Sequence, residues 1–361
     1  GAAADVTVYG IIDTGLNYQH VDQDRAGTDA TDQAQMKSSQ TIPNRWGLKG
    51  SEDLGNGLTA GFMLEGQFGS DDGTMTGGRL FQRVSQLELG SDRAGTVIVG
   101  RSGALRSGFG TTGIWGTKLS PFSNSWGDYL GGTKYTMPGG FKAIDNAITY
   151  RSPVWSGVQL YAQYSLKSNG AGTEGKASAD RQWGLGATYT AGNLHLAAVV
   201  DSVLYANTAA DYDDSIAVSL GGHYDFGVAK LYASGQYFDN AKGVGQKRAT
   251  PTGIATGYDF SSAALEGAEG WGLNVGVGVP VFGGTAKAQV AYMDAESTRN
   301  SDVNVSRWSL AAGYDYSLSK RTMVYTAAAY TRDDVSEQFQ TADLGSNPST
   351  VEVMAGLVHK F

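Results

Sequence analysis

Four histidines have the widest chemical range in this chain, because an imidazole can ligate a metal ion or move a proton. They are His20, His195, His223 and His359, and long stretches of sequence separate them. A metal site would need distant strands to bring them together, since no two occur at a short ligand spacing. The pattern favours separate polar residues that face a wet interior, and it predicts no metal site.

Motifs of nucleophilic and cofactor chemistry are equally scarce. The chain has no Cys, which excludes disulfides, thiolate metal sites and Cys nucleophiles. It has no G-x-S-x-G, H-E-x-x-H or Walker A pattern. G-x-G-x-x-G occurs at Gly108–Gly113 and Gly170–Gly175, but neither lies between a strand and a helix, and 52 Gly make chance matches common. The sequence therefore predicts a protein without enzymatic activity or cofactor.

Charge and composition further restrict the class of protein to which this chain can belong. The net charge of −8 removes the electrostatic reason to bind nucleic-acid phosphates. Among 361 residues only 17% are charged, which is low, and no apolar run approaches the roughly 20 residues of a membrane helix. A soluble β-rich protein and a β-barrel that crosses a bilayer with alternating residues both remain possible.

The elements that must position any functional side chain have a period of two. Val6, Val8, Ile12 and Leu16 alternate with polar residues, as do the residues that follow Trp271 and Trp308. Alternation of this kind is typical of a strand with one apolar and one polar face. Aromatic residues often begin or end the apolar stripe, which suits the headgroup level of a bilayer.

Turn chemistry divides these runs into hairpins. Seven short links contain the turn residues: Leu54–Gly57, Ser91–Gly95, Ser152–Gly157, Ala191–Asn193, Phe226–Gly227, Phe282–Gly284 and Leu318–Lys320. Between them lie pairs of strand-like runs joined by longer polar loops, such as His20–Asn44, Gly103–Gly140 and Asn240–Glu269. Seven turns alternating with eight loops connect sixteen strands.

The length of the strands favours a transmembrane barrel over a soluble β-rich protein. About 10 residues at about 3.3 Å each, tilted by about 45°, reach roughly 25 Å, which matches an outer-membrane hydrocarbon band. We therefore predict an all-β fold, a sixteen-stranded antiparallel transmembrane β-barrel, with residues 1–361 as one domain. Gly1–Ala4 is interpreted as the remnant of a removed signal peptide or an expression scar.

Several stretches in the same order along the chain carry a family resemblance. They are Val6–Gly15, Asn44–Leu58, Val99–Arg101, Asp145–Tyr150, Leu318–Thr322 and Gly356–Phe361. Together they resemble the general diffusion porins of Gram-negative outer membranes, and the betaproteobacterial and neisserial branch is most similar. The resemblance covers essentially the whole chain.

The resemblance implies short periplasmic turns, long external loops and a third loop, about residues 103–140, folded into the barrel. It also implies location in the bacterial outer membrane, a homotrimer, and contact with outer-membrane lipid and lipopolysaccharide. In this family the terminal Phe, here Phe361, marks the last strand for assembly.

The family's constriction places a basic wall against acidic residues. By motif, Arg45 and Arg83 match the wall arginines, and Glu65 resembles the wall Glu. Alternation agrees for Arg45, because Trp46 and Leu48 take the lipid face. At mid-membrane, an Arg that faced lipid would cost about 2–4 kcal/mol.

The third loop departs from the family pattern. Many relatives carry P-E-F-G-G-D, whereas this chain has Pro121–Asp128 without the Glu, so Asp128 is the clear acid. Arg106 and Lys118 make the loop basic, and Arg101 or Lys142 is a candidate third wall cation. Ordinary solvated loop or wall charge is the alternative for Arg101, Arg106 and Lys118.

The predicted function is passive diffusion of ions and small hydrophilic solutes through a water-filled pore. A substrate-selective channel with a saturable site is one alternative, and a soluble secreted glycan-binding adhesin is another. Loop acids such as Asp22, Asp24, Asp29 and Asp32 would concentrate cations at the mouth, whereas the basic wall favours anions at the narrowest point.

Overall fold

The structure is a computed structural model that describes residues 5–116, 118–130, 142–206, 213–245, 248–250, 253–255, 257–341 and 344–361. The interpreted signal remnant, Gly1–Ala4, lies outside these residues. Strands dominate the described chain, and no helix in it has the length and apolar character needed to cross a bilayer.

Sixteen strand positions follow one another along the chain. They are β1 (Asp5–Asp22), β2 in two segments (Thr31–Ser38 and Arg45–Gly55), β3 (Leu58–Gly66), β4 (Val84–Ser91), β5 (Gly95–Gly103), β6 (Ala143–Arg151), β7 (Val158–Asn169), β8 (Asp180–Ala191), β9 (Leu194–Leu204), β10 (Ile216–Asp225), β11 (Lys230–Ala241), β12 (Ala268–Val281), β13 (Gly284–Ser297), β14 (Asn304–Ser317), β15 (Thr322–Val335) and β16 (Ser349–Lys360). Two short antiparallel strand pairs lie outside the barrel wall, in a loop: Gly243–Val244 with Tyr258–Asp259, and Arg248–Thr250 with Gly253–Ala255.

Each strand pairs antiparallel with the next, and the last pairs with the first. The closing register runs from Ile11 opposite Lys360 to Asp22 opposite Ser349. Closure leaves no unpaired strand edge in lipid, where each unsatisfied backbone group costs several kcal/mol. The predicted sixteen-stranded antiparallel barrel is confirmed.

Alternation along the strands separates the two faces of the wall. In β12, Trp271 and Leu273 are 43% and 44% exposed, whereas Asn274 is 1% exposed. In β1, Leu16 is 64% exposed and its neighbour Asn17 is 2% exposed. The outer face is therefore apolar and the inner face polar, the reverse of a soluble protein. A soluble adhesin does not fit this arrangement.

A terminal contact joins the two ends of the chain. Gly10 N–H donates to the Phe361 carbonyl at 3.0 Å, and Phe361 N–H donates to the Gly10 carbonyl at 2.9 Å. A side chain at Gly10 would collide with the Phe361 ring, so the ring fills the space that glycine leaves.

The first loop differs from its prediction. The sequence predicts a loop over His20–Asn44, but β1 continues to Asp22 and Thr31–Ser38 is a strand. Within the described residues of β2, the strand is interrupted at residues 39–44, where Pro43 cannot donate a strand hydrogen bond. Asp13 stabilises the break, because its Oδ2 accepts hydrogen bonds from Thr41 N at 2.7 Å and Thr41 Oγ1 at 2.5 Å.

Loop lengths otherwise separate the two rims. Seven short turns lie at one end, which we call the turn end, and the longer connections lie at the other, the loop end. The connection between Ser297 and Asn304 is an exception, since it is short for the loop end. Apolar side chains inside the barrel lie beneath loops, and one cluster joins Tyr258 and Phe260 to Phe339.

Candidate functional site

The described part of the third loop, 104–116 and 118–130, follows the inner face of the wall. His223 Nδ1 in β10 lies 2.8 Å from the carbonyl of Lys118, and Gln289 Nε2 in β13 donates to the carbonyl of Leu130 at 3.1 Å. The loop's apolar residues buried against the wall are Leu105, Trp115, Leu119, Phe122, Trp126, Tyr129 and Leu130. Residues 117 and 131–140 of the predicted loop lie outside the described residues.

A buried carboxylate on the last strand anchors the loop. Glu352 is fully buried and accepts hydrogen bonds from the backbone N–H groups of Asp128 at 3.0 Å and Tyr129 at 3.1 Å. Asn17 Nδ2 and Gln19 Nε2 also donate to it, at 2.9 and 3.2 Å. These charge-assisted bonds fix the loop to the seam between β1 and β16.

The break in β2 forms the other side of this anchor. The Gln40 carbonyl accepts from Gly127 N at 2.6 Å, and the Thr41 carbonyl accepts from Ser125 Oγ at 2.6 Å. Gly127 has φ +57°, and a side chain there would collide with the Glu352 carboxylate. Only glycine fits this backbone position without strain.

The two predicted wall arginines and the predicted wall Glu lie in one cluster. Arg83 Nε is 2.8 Å from Glu65 Oε2, and both side chains are almost fully buried. Tyr9 donates to Glu65 Oε1 at 3.0 Å, and the Arg83 guanidinium stacks on Phe109 at 4.2 Å. Arg45 is close enough for the charges of Arg83 and Glu65 to act on it.

Asp128 lies at the loop anchor. It forms an ion pair with Lys37 and accepts a hydrogen bond from Gln19 Nε2 at 2.7 Å. The structure thus joins Arg83 to Glu65 within the wall and joins Asp128 to a strand segment that was expected to be a loop.

Two more predicted basic residues are ion-paired near the loop end. Arg101 Nη1 lies 2.7 Å from Asp145 Oδ1, and Arg79 binds both oxygens of the same carboxylate at 2.7 and 3.0 Å. Two guanidiniums share one carboxylate, which leaves net positive charge. The hydrogen bonds to Asp145 raise the pKa of Arg79. Arg106 Nε lies 2.8 Å from Asp201 Oδ2, and both side chains are buried.

The side chains of Arg79, Arg101 and Arg106 border the loop-side chamber, a cavity of about 590 Å³. Its lining reaches from β5 across to β11 and the start of the sixth loop. The charged residues that line it are Arg79, Arg101, Arg106, Lys142, Lys242, Asp180 and Asp239.

A second cavity of about 670 Å³, the turn-side chamber, lies between the third loop and the turn end. Lys287 in its wall pairs with Asp315 at 2.7 Å, and the same ammonium lies 4.5 Å from the Trp126 ring centre. The residues of this chamber that can carry charge are Lys118, Lys230, Lys287, Lys320, Arg321, Lys360, His195, His223 and Asp315.

Sequence reasoning missed several residues of this interior. Glu352 and Asp201 occupy inward positions of their strands, so alternation could have found them. Lys37 had no such signal, because its segment looked like a loop. His195 and His223 lie directly opposite one another on β9 and β10, a register that sequence spacing does not contain. Within the described residues, no group of three or more His, Asp or Glu side chains is placed to hold a metal ion.

Comparisons with known proteins agree with this architecture. A family model described as Gram-negative porin matches residues 1–336. An outer membrane porin protein of Bordetella pertussis is 30% identical over 355 residues, which cover 92% of this chain and 90% of that protein. The structure of the anion-selective porin from Comamonas acidovorans is 26% identical with a TM-score of 0.71, and the match covers 99% of this chain and 100% of that one.

A more distant structure shows the fold alone. The trimer form of OmpT from Vibrio cholerae is 14% identical with a TM-score of 0.64, and the match covers 100% of both chains. The closed barrel, its polar interior and these matches lead to one conclusion: the chain belongs to the Gram-negative porins and is an outer-membrane channel for the passive diffusion of solutes.

Proposed function

We propose that this porin favours anions among the ions and small hydrophilic solutes that diffuse through it. The observation that carries the proposal is the charge of the two chambers. Six Lys or Arg and one Asp line the turn-side chamber, and five Lys or Arg and two Asp line the loop-side chamber. The chain as a whole carries −8, so the linings of these two chambers have the opposite sign to the net charge of the chain. Fixed charge of one sign in a narrow pore concentrates the counter-ion.

Between the chambers, the third loop narrows the pore. In this proposal the constriction contains Arg45, Arg83, Glu65 and Asp128, with Arg101, Arg106, Lys118 and Lys142 at its approaches. The ion pair of Arg83 with Glu65 leaves the charge of Arg45 in excess on that wall. Arg79 and Arg101 share the single carboxylate of Asp145, which leaves another excess positive charge near the loop end.

Reversal potentials across a KCl gradient test the proposal. We expect the purified channel to pass chloride more readily than potassium at about 1 M salt, where charges outside the pore are screened within about 3 Å. Arg45→Ala with Arg83→Ala removes two inward charges, so the anion-to-cation permeability ratio is expected to fall by at least about threefold.

The matched control removes two exposed charges instead. Arg25→Ala with Arg93→Ala changes the net charge equally, and we expect its permeability ratio to stay near that of the wild type. Cation preference in the wild type would refute the proposed selectivity. An unchanged ratio in the Arg45 and Arg83 variant would remove these arginines from the constriction.

The same proposal extends to assembly and to the rest of the chain. Residues 1–361 act as one domain, because β1 to β16 belong to one closed sheet. In this proposal the domain acts as a diffusion channel without catalytic activity. Family membership, and the trimer form of the Vibrio cholerae relative, support a homotrimer surrounded by outer-membrane lipid and lipopolysaccharide. Sedimentation in detergent, with the detergent mass subtracted, is expected to give three chains per particle, and a one-chain mass would contradict the trimer.

A further inference from the structure

Four basic side chains converge in the turn-side chamber. Lys118 comes from the third loop, His195 from β9, His223 from β10, and Lys230 from the start of β11. The two imidazole rings stack with centres 5.2 Å apart and planes 26° apart. Because the Lys118 carbonyl can only accept, His223 Nδ1 carries the proton in their 2.8 Å hydrogen bond.

The charges around His195 have one sign. Lys118 and Lys230 are the cations whose fields act on both imidazoles, and Asp225 is the acid whose field acts on His223. Like charges this close repel one another unless an anion lies between them. The positive charges of this cluster would therefore stabilise a bound anion.

A buried nitrogen gives independent support. His195 is 8% exposed, and its Nε2 has no hydrogen-bond partner among the described residues, whereas its Nδ1 lies 2.9 Å from Thr190 Oγ1. Buried polar atoms are nearly always paired, so an unpaired one in a cavity wall indicates a missing partner.

We propose that Lys118, His195, His223 and Lys230 bind a phosphate group, either as inorganic phosphate or as a phosphomonoester. Lys118, His195 and Lys230 offer donors from one loop and two strands, which suits a tetrahedral anion with several acceptor oxygens. His223 positions this set, because it stacks on His195 and donates its Nδ1 proton to the Lys118 carbonyl. A planar carboxylate is better matched by the guanidinium fork, and this cluster contains ammonium and imidazole groups instead. The chamber of about 670 Å³ has room for the organic part of an ester.

This inference rests on the proposed anion preference and adds a saturable site to it. Phosphate held there would lie in the path of chloride. Increasing phosphate is therefore expected to reduce the chloride current to a plateau, whereas a pore without a site would show only the proportional effect of added ions.

The test is single-channel chloride conductance of the purified porin at constant KCl, titrated with inorganic phosphate and, separately, with glycerol 2-phosphate. We expect saturable block in the wild type. His195→Gln with His223→Gln is expected to raise the half-blocking concentration by about tenfold, which is a loss of about 1.4 kcal/mol. Lys118→Gln, at an exposed loop position, is expected to weaken block in the same direction.

The control is His359→Gln. His359 lies on the outer face, 2.8 Å from Thr322 Oγ1, and not in the interior that the sequence pattern predicts. Its variant is expected to keep wild-type block. Block by both probes supports the site with either source of phosphate, and block by glycerol 2-phosphate alone assigns it to phosphomonoesters. Equal block in the wild type, the double variant and Lys118→Gln overturns the site.

Failure of the site can be told apart from failure of the proposed selectivity. A wild-type channel that prefers chloride but shows no saturable block refutes the phosphate site and leaves the selectivity intact. Cation preference in the same preparation refutes the selectivity itself. Chloride conductance before phosphate is added shows whether each variant has folded.

Discussion

Deletion of Phe361 is expected to reduce the assembled fraction of this porin by at least about tenfold. The deletion leaves the N–H and carbonyl of Gly10 without partners at the seam and removes the ring that covers Gly10. In lipid each unpaired backbone group costs several kcal/mol, and about 1.4 kcal/mol is already a tenfold change. The measurement is the heat-modifiable fraction on gels after insertion into membranes.

Phe361→Tyr is the matched control, because it keeps the backbone pair and an aromatic ring of nearly the same shape. Its assembled fraction is expected to be close to that of the wild type. Wild-type assembly of the deletion variant would show that this terminal contact does not stabilise barrel closure.

Glu352→Gln is expected to release the third loop from the wall. The carboxylate accepts bonds from Asp128 N, Tyr129 N, Asn17 and Gln19, and an amide offers one acceptor oxygen in place of two. Hydrogen bonds to a charged group contribute about 1.5–3 kcal/mol each, so loss of one increases the released population by about tenfold or more. Single-channel recordings are expected to show excess current noise and frequent changes between conductance levels.

Glu337→Gln is the corresponding control, since Glu337 is an exposed residue in a short turn at the loop end. It makes the same chemical change without contact to the third loop's anchor. If the Glu352→Gln channel shows the same current noise and the same conductance as this control, the carboxylate does not hold the loop.

Much of the interior depends on contacts between residues that are distant in sequence. Alternation placed Arg45 on the inner face, and motif resemblance selected Arg83 and Glu65. The sequence did not show that Arg83 and Glu65 pair with each other, or that Asp128 pairs with Lys37. Each of these pairs depends on which strand or loop lies alongside which, and a motif contains no such information.

By itself, the sequence determined the strand number, the positions of the seven short turns and which apolar side chains face lipid. These properties follow from local physics, because a strand must alternate its side chains and a turn needs particular residues. The tertiary structure alone decided the break in β2, the burial of Glu352 beneath the third loop and the stacking of His195 on His223. These depend on interstrand register and on the path of a loop through the barrel. The register is fixed by the closure of the whole sheet, because pairing β1 with β16 sets the position of every strand between them. The path of the loop is fixed by its hydrogen bonds to Glu352 and to the break in β2.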